Sequence, residues 1–243
     1  NPTNWSLLRR DEVYPGYPDY HELTSGHADG THWVPAECDV SIRPSWYYHP
    51  FEDDKVKSLD HLLDIYYNSI GRNASLLVNL PVNRRGLVHE NDAQRLMEFK
   101  KAIAEDFAHD LAMGKPATAS QIRGRSAQFS PALAVDGRSE TYWTTDDSVT
   151  TASLIVDLGQ NTVFNRVLIQ EYIPLGQRVE AFIVDAWLNG DWQPIAEETT
   201  IGYKRILRMP AVSTDKVRLN IIKSRACPVI SNFGLYRAPD REE

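Results

Sequence analysis

Cysteine is scarce. The 243 residues hold only Cys38 and Cys227, and the residue pattern changes between them in a way that assigns them to different domains. No disulfide framework is expected, and the redox compartment is left open. CxxC and HExxH spacings are missing, which removes the usual sequence support for structural zinc or zinc-protease chemistry. No apolar run is long enough to span a bilayer. A basic surplus is missing too: 26 Lys and Arg stand against 33 Asp and Glu, a formal charge of -7. With no excess cations to neutralise phosphates, nucleic acid is not an expected partner. The first residue is Asn1 and no charged-then-apolar leader follows it, so the expectation is a mature product, a trimmed one or a piece of something longer. Internal repeats and low-complexity tracts are absent. What is present, 42% hydrophobic and 24% charged residues, is a globular composition long enough for two ordinary domains.

Residues 1–31 are rich in Pro, Gly, Tyr, Asp and His without periodicity and read as a long loop, with His21, His27 and His32 as loop hydrogen-bonders. From Val34 the pattern alternates to Ile42, the period of a strand, and Arg43-Pro44-Ser45 ends it because Pro44 has no amide to give a sheet. Leu59, Leu62, Leu63, Tyr66, Tyr67 and Ile70 then mark one face of a helix over 58–70, with Ser58 as its cap and Gly71 as its left-handed terminator. Ser75 to Leu80 is a short apolar run closed by Pro81, a buried strand of the parallel kind. A second helix is expected over 92–111, capped by Asn91, with Gln94 closing a capping box. Strand, helix, strand, helix is the signature of a parallel α/β sheet or barrel. An eight-fold barrel takes roughly 250 residues, so two such units amount to its carboxy-terminal part alone.

The composition then shifts. Gly114 and Pro116 mark a linker over 113–118, and the rest, 119–240, reads as all-β. Leu154 to Leu158, Val179 to Leu188, Val217 to Ile221 and Phe233 to Tyr236 are strands, and Asn189-Gly190-Asp191 is a turn. Many short strands without intervening helices predict a β-sandwich. The expected architecture is therefore multidomain, α/β followed by all-β.

The chemistry is expected between Trp33 and His49, WVPAECDVSIRPSWYYH. Glu37 lies in a strand-like run bracketed by Trp33, Trp46, Tyr47 and Tyr48. Apolar walls penalise the charged form of a carboxyl and so favour a proton donor, and flat aromatic faces suit the C–H faces of a sugar ring. A core strand carrying a paired surface acid is the alternative for the same residues.

That stretch, with SLDHLLDIYYNSIGRNASLLVNLPVNRRGLVHENDAQRL after it, resembles the carboxy-terminal part of the α-L-fucosidases of glycoside hydrolase family 29. The PAE-D-SIRP-W form is similar to the subfamily selective for α-1,3/1,4 fucosides of the Lewis type. ALAVDGRSETYW, QEYIPLGQRVEAF and GDW resemble the discoidin-like jelly roll, the F5/8 type C or family 32 carbohydrate-binding module. The resemblance implies a (β/α)8-like barrel over 1–112 and a retaining exo-fucosidase in which Glu37 is the general acid/base. It implies Trp46, Asp39 and Arg43 as substrate-side residues, although Asp39 and Arg43 could instead hold each other or the loop. A retaining mechanism needs a second carboxylate, roughly 5–5.5 Å away, and the family's nucleophile motif is not in this chain. The amino-terminal half of the enzyme and a fucosylated oligosaccharide are the implied partners, and periplasm or secretion the implied location. The alternative function is a non-catalytic sugar-binding module with a barrel remnant. No cofactor is implied for the reaction. Asp136 and Thr141 match the loop that holds a structural calcium in discoidin-like modules, with Ser231-Asn232 where relatives carry a Glu.

Overall fold

The computed structural model of the chain describes residues 4–14 and 16–241. The amino-terminal segment is more ordered than a loop. β1 (Leu7–Leu8) carries, after a connection containing the short helix α1 (Tyr20–Ser25), an antiparallel partner, β2 (His32–Trp33). α1 is too short for apolar periodicity to betray it. Polar ties hold the segment instead: the Asp19 side chain accepts the Glu22 N–H, and buried His27 shares a 2.5 Å hydrogen bond with Glu22.

β3 (Ala36–Ser41) leads through α2 (Leu59–Ser69) to β4 (Ala74–Asn79), which pairs with β3 in parallel, Glu37 opposite Ser75 and Ser41 opposite Asn79. This is the βαβ unit expected from the alternation. Ser58 caps α2 by accepting the His61 N–H. Gly71 does not take the left-handed conformation assigned to it; Asn73 does, at φ 65°. Glycine is required at 71 for another reason, since a Cβ there would stand 2.4 Å from the Tyr67 carbonyl oxygen.

α3 (Glu90–Asp106) starts at His89, whose side chain accepts the Asn91 N–H. Asn91 is not the cap because its amide donates to the Asp53 carbonyl, and Gln94 bonds Glu98 in place of closing a capping box. The helix ends before Leu111 because the chain there has joined the second domain: the Leu111 N–H donates to the Leu235 carbonyl, and Asp110 accepts the Leu235 N–H. The boundary thus precedes Asp110, and 113–118 is no free linker.

Ile42, Leu62, Leu63, Phe99 and Ala102 form a small core that Leu76 and Val78 complete from one face of β4, with Leu80 just beyond its end. Leu77 points to the other face and is 53% exposed. Among the described residues, β3 and β4 have no strand neighbours but each other.

The second domain is built on two long strands, not many short ones. β5 (Ala117–Ala119) and β6 (Trp143–Thr144) are short, but β7 (Ala152–Glu171) is twenty residues long. β8 (Val179–Leu188) and β9 (Asp191–Glu198) form a hairpin, turning on Asn189 and Gly190, both at positive φ. β10 (Arg205–Ser224) is again twenty residues, and β11 (Val229–Tyr236) ends the fold. The first half of β7 pairs with β5 and with the second half of β10, which continues to β8 and β9. Its second half pairs with the first half of β10 and with β11, which carries β6. Each long strand bends from one layer into the other, at Gly159 (φ 79°) in β7 and at the register shifts around 208–216 in β10. Strand prediction from alternation stops at such bends, so each long strand was legible only in part. Trp143 lies fully buried in the core between the layers. Trp187 is only half-buried, in edge contact with Trp192.

Candidate functional site

The uncovered face of the two-stranded sheet carries Glu37 and Asp39, both exposed, with Ser75 opposite Glu37 and Leu77 opposite Asp39. In a parallel barrel this alternate set points inward. Glu37 is the second residue of β3 and Ser41 the last. At about 3.3 Å per residue, Glu37 therefore stands roughly 13 Å back from the strand's carboxy-terminal end. The aromatic bracket also opens out. Trp33 belongs to β2, near the amino-terminal ends of β3 and β4, where it lines a cavity of about 640 Å³ with Ile70, Ile173 and Tyr203. Trp46, 50% exposed, lies beyond the other end.

The loop that presents Trp46 is rigidly tied. The Asn79 side-chain amide donates to the Trp46 carbonyl at 2.8 Å and to the Ser41 hydroxyl at 3.2 Å, and Ser41 donates to the Ser45 carbonyl. The Lys57 ammonium donates to the Ser41 carbonyl at 2.6 Å, and burial holds its pKa below the ordinary lysine value. Arg43 is fully buried beneath this loop. It grips Asp92 of α3 through Nε at 2.8 and 3.0 Å and Asp53 through Nη1 at 2.9 Å. Arg43 is thus a strut between strand end and helix start. Its expected substrate contact is corrected by its burial, and its expected partner Asp39 by these two aspartates. Burial opposes the charge of Asp53, but hydrogen bonds from Arg43 and Tyr48 outweigh it and hold the carboxyl below its ordinary pKa. Asp53, Asp92, Lys57 and Asn79 escaped sequence reasoning. A buried arginine demands an acid, but one 49 residues away in the chain leaves no local signal.

In the second domain the Asp136 loop closes on itself. One carboxylate oxygen accepts the Arg138 N–H at 2.9 Å and the other the Thr141 hydroxyl at 2.7 Å. Ser231 and Asn232 are turned to the Gln170 and Leu168 carbonyls. The side chains present do not fit a calcium ion: both Asp136 oxygens are engaged within the loop, and Glu140 accepts the Ser139 hydroxyl at 2.7 Å. No cluster of three or more His, Cys, Asp or Glu suited to a metal occurs among the described residues. Arg178 donates to the Leu175 and Cys227 carbonyls. Asn4-Trp5-Ser6 and Asn73-Ala74-Ser75 match the glycosylation sequon, but Asn4 and Asn73 are 7% exposed and engaged in hydrogen bonds, so neither is open to a glycan in the folded chain.

Comparison with known proteins matches a domain family, curated relatives and a solved structure. The F5/8 type C domain family matches residues 116–232. Two curated plant proteins, from Oryza sativa subsp. japonica and Arabidopsis thaliana, are 40% and 37% identical over 238 residues, 96% of this chain, and the second is named alpha-L-fucosidase 1. The chain spans about half the length of these relatives, 45% and 47%. A solved GH29 fucosidase of Ruminococcus gnavus, in complex with fucose, superposes with a TM-score of 0.88 at 30% identity, covering 99% of this chain and 49% of that one.

Proposed function

We propose, for a chain that corresponds to the carboxy-terminal region of the family 29 α-L-fucosidases and carries their F5/8 type C domain, that it forms the carboxy-terminal wall of a retaining exo-α-L-fucosidase. One observation carries the reading: a parallel βα sheet whose helices cover one face and whose other face, bearing Glu37 and Asp39, stands open. The amino-terminal half would close that face and bring the nucleophilic carboxylate. The substrate proposed is terminal α-1,3/1,4-linked fucose on Lewis-type glycans, and the location periplasmic or extracellular.

In this reading Glu37 protonates the leaving glycosidic oxygen and then deprotonates the water that releases fucose. Trp46, held by Asn79, offers a ring to the sugar, and Asp39 supports. A second reading is favoured by the strand position of Glu37. Barrel chemistry sits at carboxy-terminal strand ends, so Glu37 would fill the barrel's lower interior and the proton donor would come from the amino-terminal half. Glu37→Gln in the full-length enzyme separates the two. As acid/base, its loss slows oligosaccharide turnover by roughly 10²–10⁴-fold, affects a nitrophenyl fucoside less in the first step, and lets azide restore turnover by attack on the covalent intermediate. Asp39→Asn shows no rescue. Near-normal oligosaccharide turnover by Glu37→Gln transfers the role to the second reading. The non-catalytic, sugar-binding alternative requires that full-length protein bind fucosides without turning them over.

A further inference from the structure

Where α2 packs on the second domain, a cavity of about 330 Å³ is lined by Arg166, Arg208, Arg237 and Arg241, with Tyr67 between them. Arg166 of β7 and Arg208 of β10 are direct cross-strand partners. Like charges so placed repel each other. Both guanidinium groups also flank one ring, 5.2 and 5.1 Å from the centroid of Tyr67.

Three of the four arginines have carboxylates: Arg208 meets Asp64, Arg237 meets Asp240 at 2.6 Å, and Arg241 meets Asp106 at 2.6 Å. Arg166 has none. It is 9% exposed, and its hydrogen bonds run from Nε to the Tyr67 hydroxyl at 2.8 Å and from Nη1 to the Asn165 carbonyl at 2.9 Å. Tyr67 adds no charge: it donates to Asp106 at 2.5 Å, and burial raises its pKa far above neutrality. A guanidinium this buried without a counter-charge is strongly unfavourable unless an anion reaches it. Its planar fork suits the oxygens of a phosphate or sulfate.

We propose that this cavity is a binding site for a tetrahedral oxyanion, phosphate or sulfate, either free or borne as an ester on a sugar. Arg166 and Arg208 grip the oxygens, and Arg237 and Arg241 close the site. Asp60 and Asp240 also line it, which restricts the anion to the wall formed by the cross-strand pair. The sandwich-to-helix junction would then be locked by the ion.

Calorimetric titration of the intact protein with sodium sulfate, inorganic phosphate and galactose 6-sulfate tests this, with sodium chloride at matched ionic strength as control. Saturable binding is expected. Arg208→Ala and Arg237→Ala, at partly exposed positions that leave the core intact, should each weaken it about tenfold, since each removes charge-assisted hydrogen bonds to the ion. Equal affinity for free and esterified sulfate identifies the ion as ligand; tighter binding of the ester identifies a sulfated sugar; both uphold the site. Heat no greater than that of chloride, or affinity unchanged in the Arg208→Ala, Arg237→Ala double variant, overturns it.

Discussion

The two parts of this chain solve the same problem unequally. Among the described residues, the sandwich gathers 22 buried residues in one continuous core, from Ala112 to Leu235, while the core of the βαβ part holds five. The sandwich achieves this by folding its own long strands over, so that each layer supplies the other's apolar face. The parallel sheet cannot do so, because its strands need neighbours on both edges and cover on both faces, and its sequence provides two helices for one face only. Closure within a chain segment is thus a matter of topology rather than of hydrophobic content. The sheet's open face, with exposed Leu77, is the surface on which the proposed amino-terminal half would seat.

The sharpest way to break this comparison is to cut it. Residues 110–241 alone should melt cooperatively, while residues 4–109 alone should be aggregated or molten, by calorimetry and near-UV circular dichroism. A cooperative, monomeric melt of 4–109 would show that the small core suffices.

The next effect lies at the seam. Asn73 donates to the Asn4 carbonyl, the Ser6 hydroxyl and Gln177, accepts the Tyr203 N–H at 2.6 Å, and holds a left-handed backbone. Asn73→Ala leaves several buried groups unpaired, and should cost about 3–4 kcal/mol in urea unfolding of the whole chain. A cost under about 1 kcal/mol would mean that the two parts are only loosely coupled.

A somewhat smaller effect sharpens the sandwich side. Glu171 is buried, and despite accepting N–H groups from Arg178, Val179 and Gly202 its carboxyl is pushed up by that burial to about 7. A folded-state pKa above the unfolded one means that the folded chain holds the proton more tightly. Stability from this group is complete below about pH 4.5 and is lost as pH rises to about 7, by roughly 3 kcal/mol. Urea melts of 110–241 at pH 5 and pH 8 measure it, and Glu171→Gln should flatten the dependence. The smallest effect expected is none: calcium or a chelator should leave the melting temperature of 110–241 unchanged, because Asp136 is already satisfied. A calcium-dependent rise would mean that the loop reopens.

Legibility followed the same divide between local and distant causes. α2 was readable because its apolar spacing and Ser58 cap are local, and β4 because an apolar run closed by Pro81 is local. The Asn-Gly hairpin turn was readable for the same reason. α1, held by His27 and Arg9 across polar ties, was not, nor was the His89 cap, which replaced a better capping residue already engaged elsewhere. At the site, the open face of Glu37 and Asp39 follows from alternation alone. The burial of Arg43 does not, because Asp53 and Asp92 reach it only through the packing of α3.

The central claim is that the open face is half of a fucosidase site. Hydrolysis of 4-nitrophenyl α-L-fucoside, by the 243-residue chain and by the full-length protein at equal concentration, tests it most directly. The account predicts turnover by the full-length protein and none by the chain alone. Turnover by the 243 residues alone, or none by the full-length protein, would contradict it.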